Sequence, residues 1–454
     1  MHITSTTKDK WILFIKIMIP VLITQVGMFA MNFFDTMMSG NYSASDLAGV
    51  AIGSSIWVPV QTGLTGILIA ITPIVSQLIG SKKTKNVPYS VTQGMYLAFI
   101  LAIVVLLIGA MVINPLLNNM SLEPAVRIIA HDYLVALAWG IIPLFFFNVL
   151  RSFIDALGQT RVSMFITLAA LPINVLFNYL LIFGKFGFPE LGGVGSGVAT
   201  AITYWLIFIA STIVVMKIHP FSTYMIFKKI IPFSLKECFT IMKIGIPIGL
   251  AIFFETSIFS AVTLLMSSYD TITIAAHQTA LNFSSFLYMV PLSVSMALTI
   301  VVGFEVGGKR YRDARQYSFM GVALTVTMSI VFAIFLYFFR TEVATIYTKD
   351  PEVIKLTANF LIFALFFQVS DAVMAPIQGA LRGYKDVNVT FLLSFTAFWV
   401  IGLPVGYLFA NYTDFGPYGY WVGLIVGLAI GAISLAIRLL YIQKRKYSYH
   451  SISE

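Results

Sequence analysis

Apolar residues run through this chain in long stretches rather than in alternation, and polar positions gather in short clusters between them. Stretches of ~20 apolar residues match the length a helix needs to cross a ~30 Å hydrocarbon layer, and the ~10-residue alternating segments of an outer-membrane barrel are absent. Breaking the chain at turn and charge clusters predicts twelve spans, at 11–38, 46–80, 87–113, 124–149, 161–184, 194–217, 238–266, 272–304, 316–339, 351–379, 387–410 and 417–442. The expected fold is all-α and integral to the membrane. The first run, from Trp11 to about Met38, is too long for a signal-peptide core and has no small-residue cleavage site after it, so it is expected to stay as a span.

Charge orients these spans. Of the 28 Lys and Arg, only Arg127, Lys185, Arg340, Lys349 and Lys355 fall outside the N-terminus, every second connection and the C-terminus. The positive-inside rule therefore expects a multi-pass protein of the cell (plasma) membrane with both termini cytoplasmic and an even number of spans. The net charge of +9 has the same origin, divided among short loops that face anionic lipid, so no nucleic-acid partner is expected. The Gly192 to Gly197 cluster follows no strand and lacks the Lys-Ser/Thr of a phosphate-binding loop, so no nucleotide partner is expected either. Cys238 is the only cysteine, which excludes an intrachain disulfide and a Cys-rich metal site.

The chain also repeats itself. Lys16-Ile-Met-Ile-Pro20 recurs as Lys243-Ile-Gly-Ile-Pro247, and at the same offset of 227 Leu47-Ala-Gly-Val matches Ile274-Ala-Ala-His and Ile79-Gly-Ser-Lys-Lys83 matches Val306-Gly-Gly-Lys-Arg310. Farther on, Ala156-Leu157 before Gly158 resembles Ala380-Leu381 before Gly383, which implies that the register has slipped by a few residues there. Six spans separate the copies, an even number, so two six-helix lobes with parallel orientation around a central cavity are expected. The expected organisation is an N-terminal lobe at 1–217, a cytoplasmic linker at 218–237 and a C-terminal lobe at 238–454 with a short basic tail. Pro20 and Pro247 each remove a backbone hydrogen bond from the first helix of a lobe and mark bend points, either static or moving.

Three carboxylates, Asp35, Glu255 and Asp371, lie inside apolar spans, and no Lys or Arg falls near the centre of a span to neutralise them. Because an unpaired buried charge costs several kcal/mol, an external cation is the expected counter-charge, which points to cation transport. At ~1.5 Å per residue, Glu255 lies ~18 Å past Lys243 and Asp371 ~16 Å before Arg382, so the two reach one layer and are expected to share an ion. Asp35 lies ~28 Å past Lys16, level with Asn178 at ~26 Å past Arg161, and Asn174 is one turn below on the same face. The two asparagines suit either a carboxylate or hydrated ion, or a simple interhelical contact. His277 is read as a packing histidine or a proton relay, with Gln278 beside it. Phe253, Phe254, Phe283, Phe286 and Tyr288 cluster around Glu255 and the eighth span, where they suit stacking on flat cations or packing.

Asp35-Thr-Met-Met-Ser-Gly40, Ala275-Ala-His-Gln278 with Asn282, and Gly193-Val-Gly-Ser-Gly-Val-Ala-Thr200 together resemble the MATE family of multidrug and toxic compound extrusion transporters over nearly the whole chain. Glu255 and Asp371 resemble its NorM-type branch. The resemblance implies a cation-coupled antiporter that exports organic, mostly cationic amphipathic compounds in exchange for Na+ or H+. It places a cation site, possible for Na+, at Glu255 and Asp371, and a second site around Asp35, Asn174 and Asn178. Two departures are Gly303-Phe-Glu-Val-Gly307 after the eighth span and Phe367 four residues before Asp371. No cofactor beyond the coupling ion is expected, and the expected partners are small organic cations, drugs and membrane lipid around a monomer. The rival reading is a lipid-linked oligosaccharide flippase of related fold, which would call for a basic cavity. An enzyme is disfavoured, because no His-Glu-x-x-His or Gly-x-Gly-Asp motif is present.

Overall fold

The computed structural model describes residues 1–452, with side chains as far as Tyr447. Its helices are α1 (Thr7–Tyr42), α2 (Ala44–Leu68), α3 (Ile71–Gly80), α4 (Val87–Asn119), α5 (Pro124–Ala138), α6 (Ile141–Ala156), α7 (Thr160–Ile182), α8 (Gly193–Lys217), α9 (Leu235–Met266), α10 (Thr271–Gly307), α11 (Tyr311–Tyr347), α12 (Pro351–Gly383), α13 (Val387–Phe395), α14 (Leu403–Tyr412) and α15 (Tyr418–Ile452). Among the described residues, eleven stretches of helix are long and apolar enough to cross a membrane, and α5 with α6, bent by 50°, makes a twelfth when the pair is taken as one span. The all-helical, twelve-span expectation holds.

The chain divides into two compact units. One contains Met1 and Ile19–Gly249, and the other contains His2–Met18 with the helices that follow Gly249. α1 and α9 therefore pass from one unit to the other beside Pro20 and Pro247. Each proline lacks the N–H that would reach the carbonyl four residues back, at Lys16 and Lys243, so each helix is weakest where it changes unit. The first stretch of α9 packs closely in its unit, where a Cβ on Gly249 would stand 2.5 Å from the Gly63 carbonyl.

Helix ends show the repeat more sharply than the side chains do. Ala44 and Thr271 start α2 and α10, Pro124 and Pro351 start α5 and α12, and Thr160 and Val387 start α7 and α13, each pair 227 apart. The turns after α3 and α10 place Lys82 and Lys309 in the left-handed region, both at φ 58°. The turns after α6 and α12 place Gly158 and Lys385 there as well, at φ 77° and 60°. Their backbone bonds correspond too: Gly158 N–H reaches Asp155 O at 2.8 Å, and Lys385 N–H reaches Arg382 O at 2.9 Å. The offset is thus still 227 at this turn. The slip implied by the Ala-Leu match is corrected, because helix caps define the register and the two short apolar pairs matched by coincidence.

Within this register the units differ in where helices break. Pro73 and Pro143 have no N–H for the carbonyls of Ile69 and Trp139, and α2 and α5 stop there. Pro291 and Pro376 are carried inside unbroken α10 and α12. In the second unit the break falls instead at Thr396–Gly402, a π-helical turn before Pro404 that joins α13 to α14. Apolar surface does not drive helices together in lipid, so close packing must. Gly423 of α15 fits against Gly402 and Gly406, where any Cβ would stand 2.4 Å from backbone atoms. At the start of α10, Asp270 caps the helix by accepting the Thr273 N–H at 3.1 Å, and this bonding holds its carboxyl below the usual range.

The connection between α8 and α9 is fastened to α4. The buried Gln93 donates to Pro232 O at 2.8 Å and accepts from Ser234 N–H at 2.9 Å, and Tyr96 donates to Ile231 O at 2.8 Å. Gln93→Ala removes both partners of this backbone at a cost of about 1–3 kcal/mol. Limited trypsin digestion of the purified protein is expected to cut after Lys228 or Lys229 several-fold faster in that variant. Equal cutting rates would show that the clamp does not order the linker.

Candidate functional site

The first unit builds a polar cluster from α1, α7 and α8. Asn174 and Asn178 stand one turn apart on α7, and both are fully buried. Asn178 Nδ2 donates to Asp35 Oδ1 at 2.6 Å and to Asn174 Oδ1 at 3.2 Å. The Thr200 hydroxyl donates to Asp35 Oδ2 at 3.0 Å, and Asn174 Nδ2 donates to Thr200 Oγ1 at 3.4 Å, which closes a ring around the carboxylate. Asn178 Oδ1 has no partner among the described residues and remains a free acceptor. Tyr133, bonded to Ser54 at 3.1 Å, and Tyr204, bonded to Gln61, lie within electrostatic range of Asp35. No Lys or Arg among the described residues bonds to this carboxylate, which is 7% exposed.

The glycine-rich start of α8 sets the height of Thr200. Gly193 N–H donates to Asp46 Oδ1 at 2.6 Å, so a carboxylate from α2 sits on the positive end of α8. Gly192 has φ 62° and packs against that same oxygen, leaving no room for a side chain. Thr200 is seven residues farther along, ~10 Å into the helix. The hydroxyl was present in the quoted sequence motif, but only the docking of α8 on α1 reveals it as a partner of Asp35.

The second unit builds its cluster from α9, α10, α12 and α13. Gln378 Nε2 donates to Glu255 Oε1 and to Ser394 Oγ, the latter at 3.1 Å. Asp371 and Glu255 lie within electrostatic range of one another, as expected from their matching depth, and both act on Tyr288. No hydrogen bond reaches the buried Asp371 carboxyl among the described residues. The expectation that no basic residue lies near these acids is corrected. Arg382 is part of α12 rather than of a loop, is buried, and lies within electrostatic range of Glu255. With both carboxyls ionised, one guanidinium against two carboxylates leaves a formal charge of −1.

The repeat register places different chemistry at corresponding positions. Met28 stands where Glu255 does, and Arg151 where Gln378 does, each 227 apart. Arg151 Nη1 meets Met28 Sδ at 3.4 Å, and its Nε lies 3.5 Å from Asp155. The two acidic clusters are thus not copies of one ancestral site within this fold.

The remaining candidates fall in several settings. His277 is fully buried, with Nδ1 accepting from Trp421 Nε1 at 3.0 Å, which leaves Nε2 to donate to Thr263 Oγ1 at 3.1 Å. Its ring packs edge-on to Phe360 and Trp421, and Gln278 Nε2 donates to the same Thr263 oxygen at 3.3 Å. Phe254 is enclosed by Phe253, Phe391, Phe395 and Trp399, and its carbonyl accepts from the Trp399 indole at 2.9 Å. Phe283 is half-buried and Phe286 is exposed, whereas Tyr288 joins the carboxylates. Phe367 packs edge-on to Phe259 and to Trp421.

Comparison with known proteins agrees with this architecture. The MatE family model matches residues 20–180 and again 247–408. A protein of Oceanobacillus iheyensis named "Probable multidrug resistance protein NorM" is 58% identical over 98% of this chain and 100% of its own length. One of the same name from Bacillus subtilis is 56% identical over 97% of this chain and 98% of its own length. The crystal structure of a eukaryotic MATE transporter shares the fold at a TM-score of 0.87 and 20% identity, covering 96% of this chain and 98% of that one. A family model that matches both halves in the 227-residue register, and relatives that are similar from end to end, establish that the chain belongs to the MatE family.

Proposed function

We propose that this chain is a multidrug efflux antiporter of the plasma membrane, with both termini cytoplasmic, that exports organic, mostly cationic amphipathic compounds in exchange for Na+. The observation that carries the reading is the second unit's cluster, in which Glu255 and the buried Asp371 face one buried guanidinium, a formal charge of −1 when both carboxyls are ionised. One monovalent cation balances it. Asp371, with no hydrogen bond of its own among the described residues, is the open oxygen ligand, and Glu255 is held in place by Gln378. Alternating access then follows from differential binding: cation and drug each favour one of two arrangements and cannot both stabilise the same one.

Relatives named for multidrug resistance favour this reading over a lipid-linked oligosaccharide flippase, whose anionic cargo would need a basic site. A proton is the physical rival to Na+, because two neighbouring carboxyls also suit a shared proton. Proteoliposomes distinguish the two. An inward sodium gradient at clamped pH is expected to drive ethidium export, and a pH gradient at equal sodium is expected to drive little. Export driven by the pH gradient alone would replace Na+ by H+.

A further inference from the structure

Residues 217–236 combine three properties that the transport reading does not use. The segment carries Lys217, Lys228, Lys229 and Lys236 and no acidic residue. It leaves large apolar side chains uncovered, with Ile230 98% exposed, Leu235 71% and both Met225 and Phe233 48%. It is nevertheless fixed rather than loose. Phe221 and Ile226 are buried in the unit's core, Gln93 and Tyr96 hold the backbone of residues 231–234, and Phe233 packs edge-on to Tyr96 at 5.8 Å.

Its depth is set by that attachment. Gln93 and Tyr96 lie six and nine residues into α4, which is ~9 and ~14 Å along the helix. The Lys82, Lys83 and Lys85 group precedes α4, so the linker backbone is held inward of a ring of basic side chains, at the level where headgroups meet acyl chains. A wholly aqueous loop would leave Ile230 and Leu235 in water, whereas a soluble acidic partner would have to displace lipid from around α4.

We infer that residues 217–236 are a fixed interfacial anchor whose ligand is the anionic phospholipid of the cytoplasmic leaflet. Ile230 and Leu235 enter the acyl boundary, and Lys228, Lys229 and Lys236 engage the phosphates and the negative surface. The anchor holds the segment of chain that leads into α9, and so into Pro247. This inference rests on the cytoplasmic placement proposed above and does not depend on which cation is coupled.

Bimane attached to Ile230→Cys in the full chain tests it, since the native Cys238 is buried and labels poorly. The protein is reconstituted in phosphatidylcholine vesicles that contain equal mole fractions of brominated phosphatidylglycerol or brominated phosphatidylcholine. Quenching by the brominated phosphatidylglycerol is expected to be at least threefold stronger. Adding Lys228→Gln, Lys229→Gln and Lys236→Gln is expected to bring the ratio to about one while lipid quenching persists, with size-exclusion profiles unchanged. Equal quenching by both lipids in the parent overturns the anionic preference, and strong iodide quenching with none from either lipid overturns interfacial insertion. Labelling of Ile230→Cys on intact cells by an impermeant maleimide would overturn the cytoplasmic placement separately.

Discussion

Asp371→Asn is expected to abolish cation binding by the purified protein and cation-driven dye export, whereas Arg382→Gln is expected to tighten cation binding and slow export. Both follow from the charge count of one cluster. With Glu255 and Asp371 ionised and Arg382 in place the formal charge is −1. Asparagine at 371 brings it to zero, and a cation entering a neutral buried site has nothing to replace its hydration. Glutamine at 382 brings it to −2. At an effective dielectric of ~20, a unit charge ~16 Å away, the axial distance from Asp371 to Arg382, is worth about 1 kcal/mol, or roughly fivefold in affinity. Tighter binding stalls the cycle because the cation must leave before the next drug is carried. Radiolabelled sodium binding to purified protein, with ethidium efflux alongside, separates these outcomes. If Arg382→Gln leaves both affinity and rate unchanged, Arg382 is not part of the site; if Asp371→Asn still binds sodium, Glu255 holds the ion without it.

The spans and the repeat were legible because they depend on extended properties of the chain. Twenty apolar residues must cross as a helix whatever their neighbours, and three matches at one offset identify a duplication. Depth was legible for the same reason, since rise per residue needs no partner, and it brought Glu255 and Asp371 to one level. What escaped was any property that depends on where a helix ends or what docks on it. Arg382 read as a loop residue because it follows a long apolar run, yet α12 continues through it to Gly383 and turns it inward. Thr200 was visible within a motif but not as a ligand, since its role needs α8 to be set by Asp46. The breaks at Trp139–Gly140 and Thr396–Gly402 are likewise illegible, because Pro143 breaks its helix whereas Pro376 does not.

Asp35→Asn is expected to lower dye export at least tenfold while leaving the first unit folded. The substitution keeps the shape of the side chain and one acceptor oxygen, so Asn178 can still donate to it, while the new amide group meets the Thr200 oxygen once that hydroxyl turns away. Packing is therefore conserved and only the ionisable group is lost. That group is the one carboxyl the α1, α7 and α8 cluster offers to a cation, and Asn178 Oδ1, buried without a partner among the described residues, is a second acceptor in the same cluster. Thr200→Val provides the contrast. It preserves the charge but strips Asp35 Oδ2 of its donor and Asn174 Nδ2 of its acceptor, a loss of about 1–3 kcal/mol that is expected to appear partly as a lower melting temperature. The two variants thus separate charge from scaffold: Asp35→Asn melts like the parent but does not export, and Thr200→Val melts lower and exports in part. Ethidium efflux is measured in cells without other drug pumps, across a range of external pH and sodium, with thermal melts of the purified variants. Parental export by Asp35→Asn at every pH and sodium concentration would remove Asp35 from the coupling mechanism and leave the ring around it as interhelical packing.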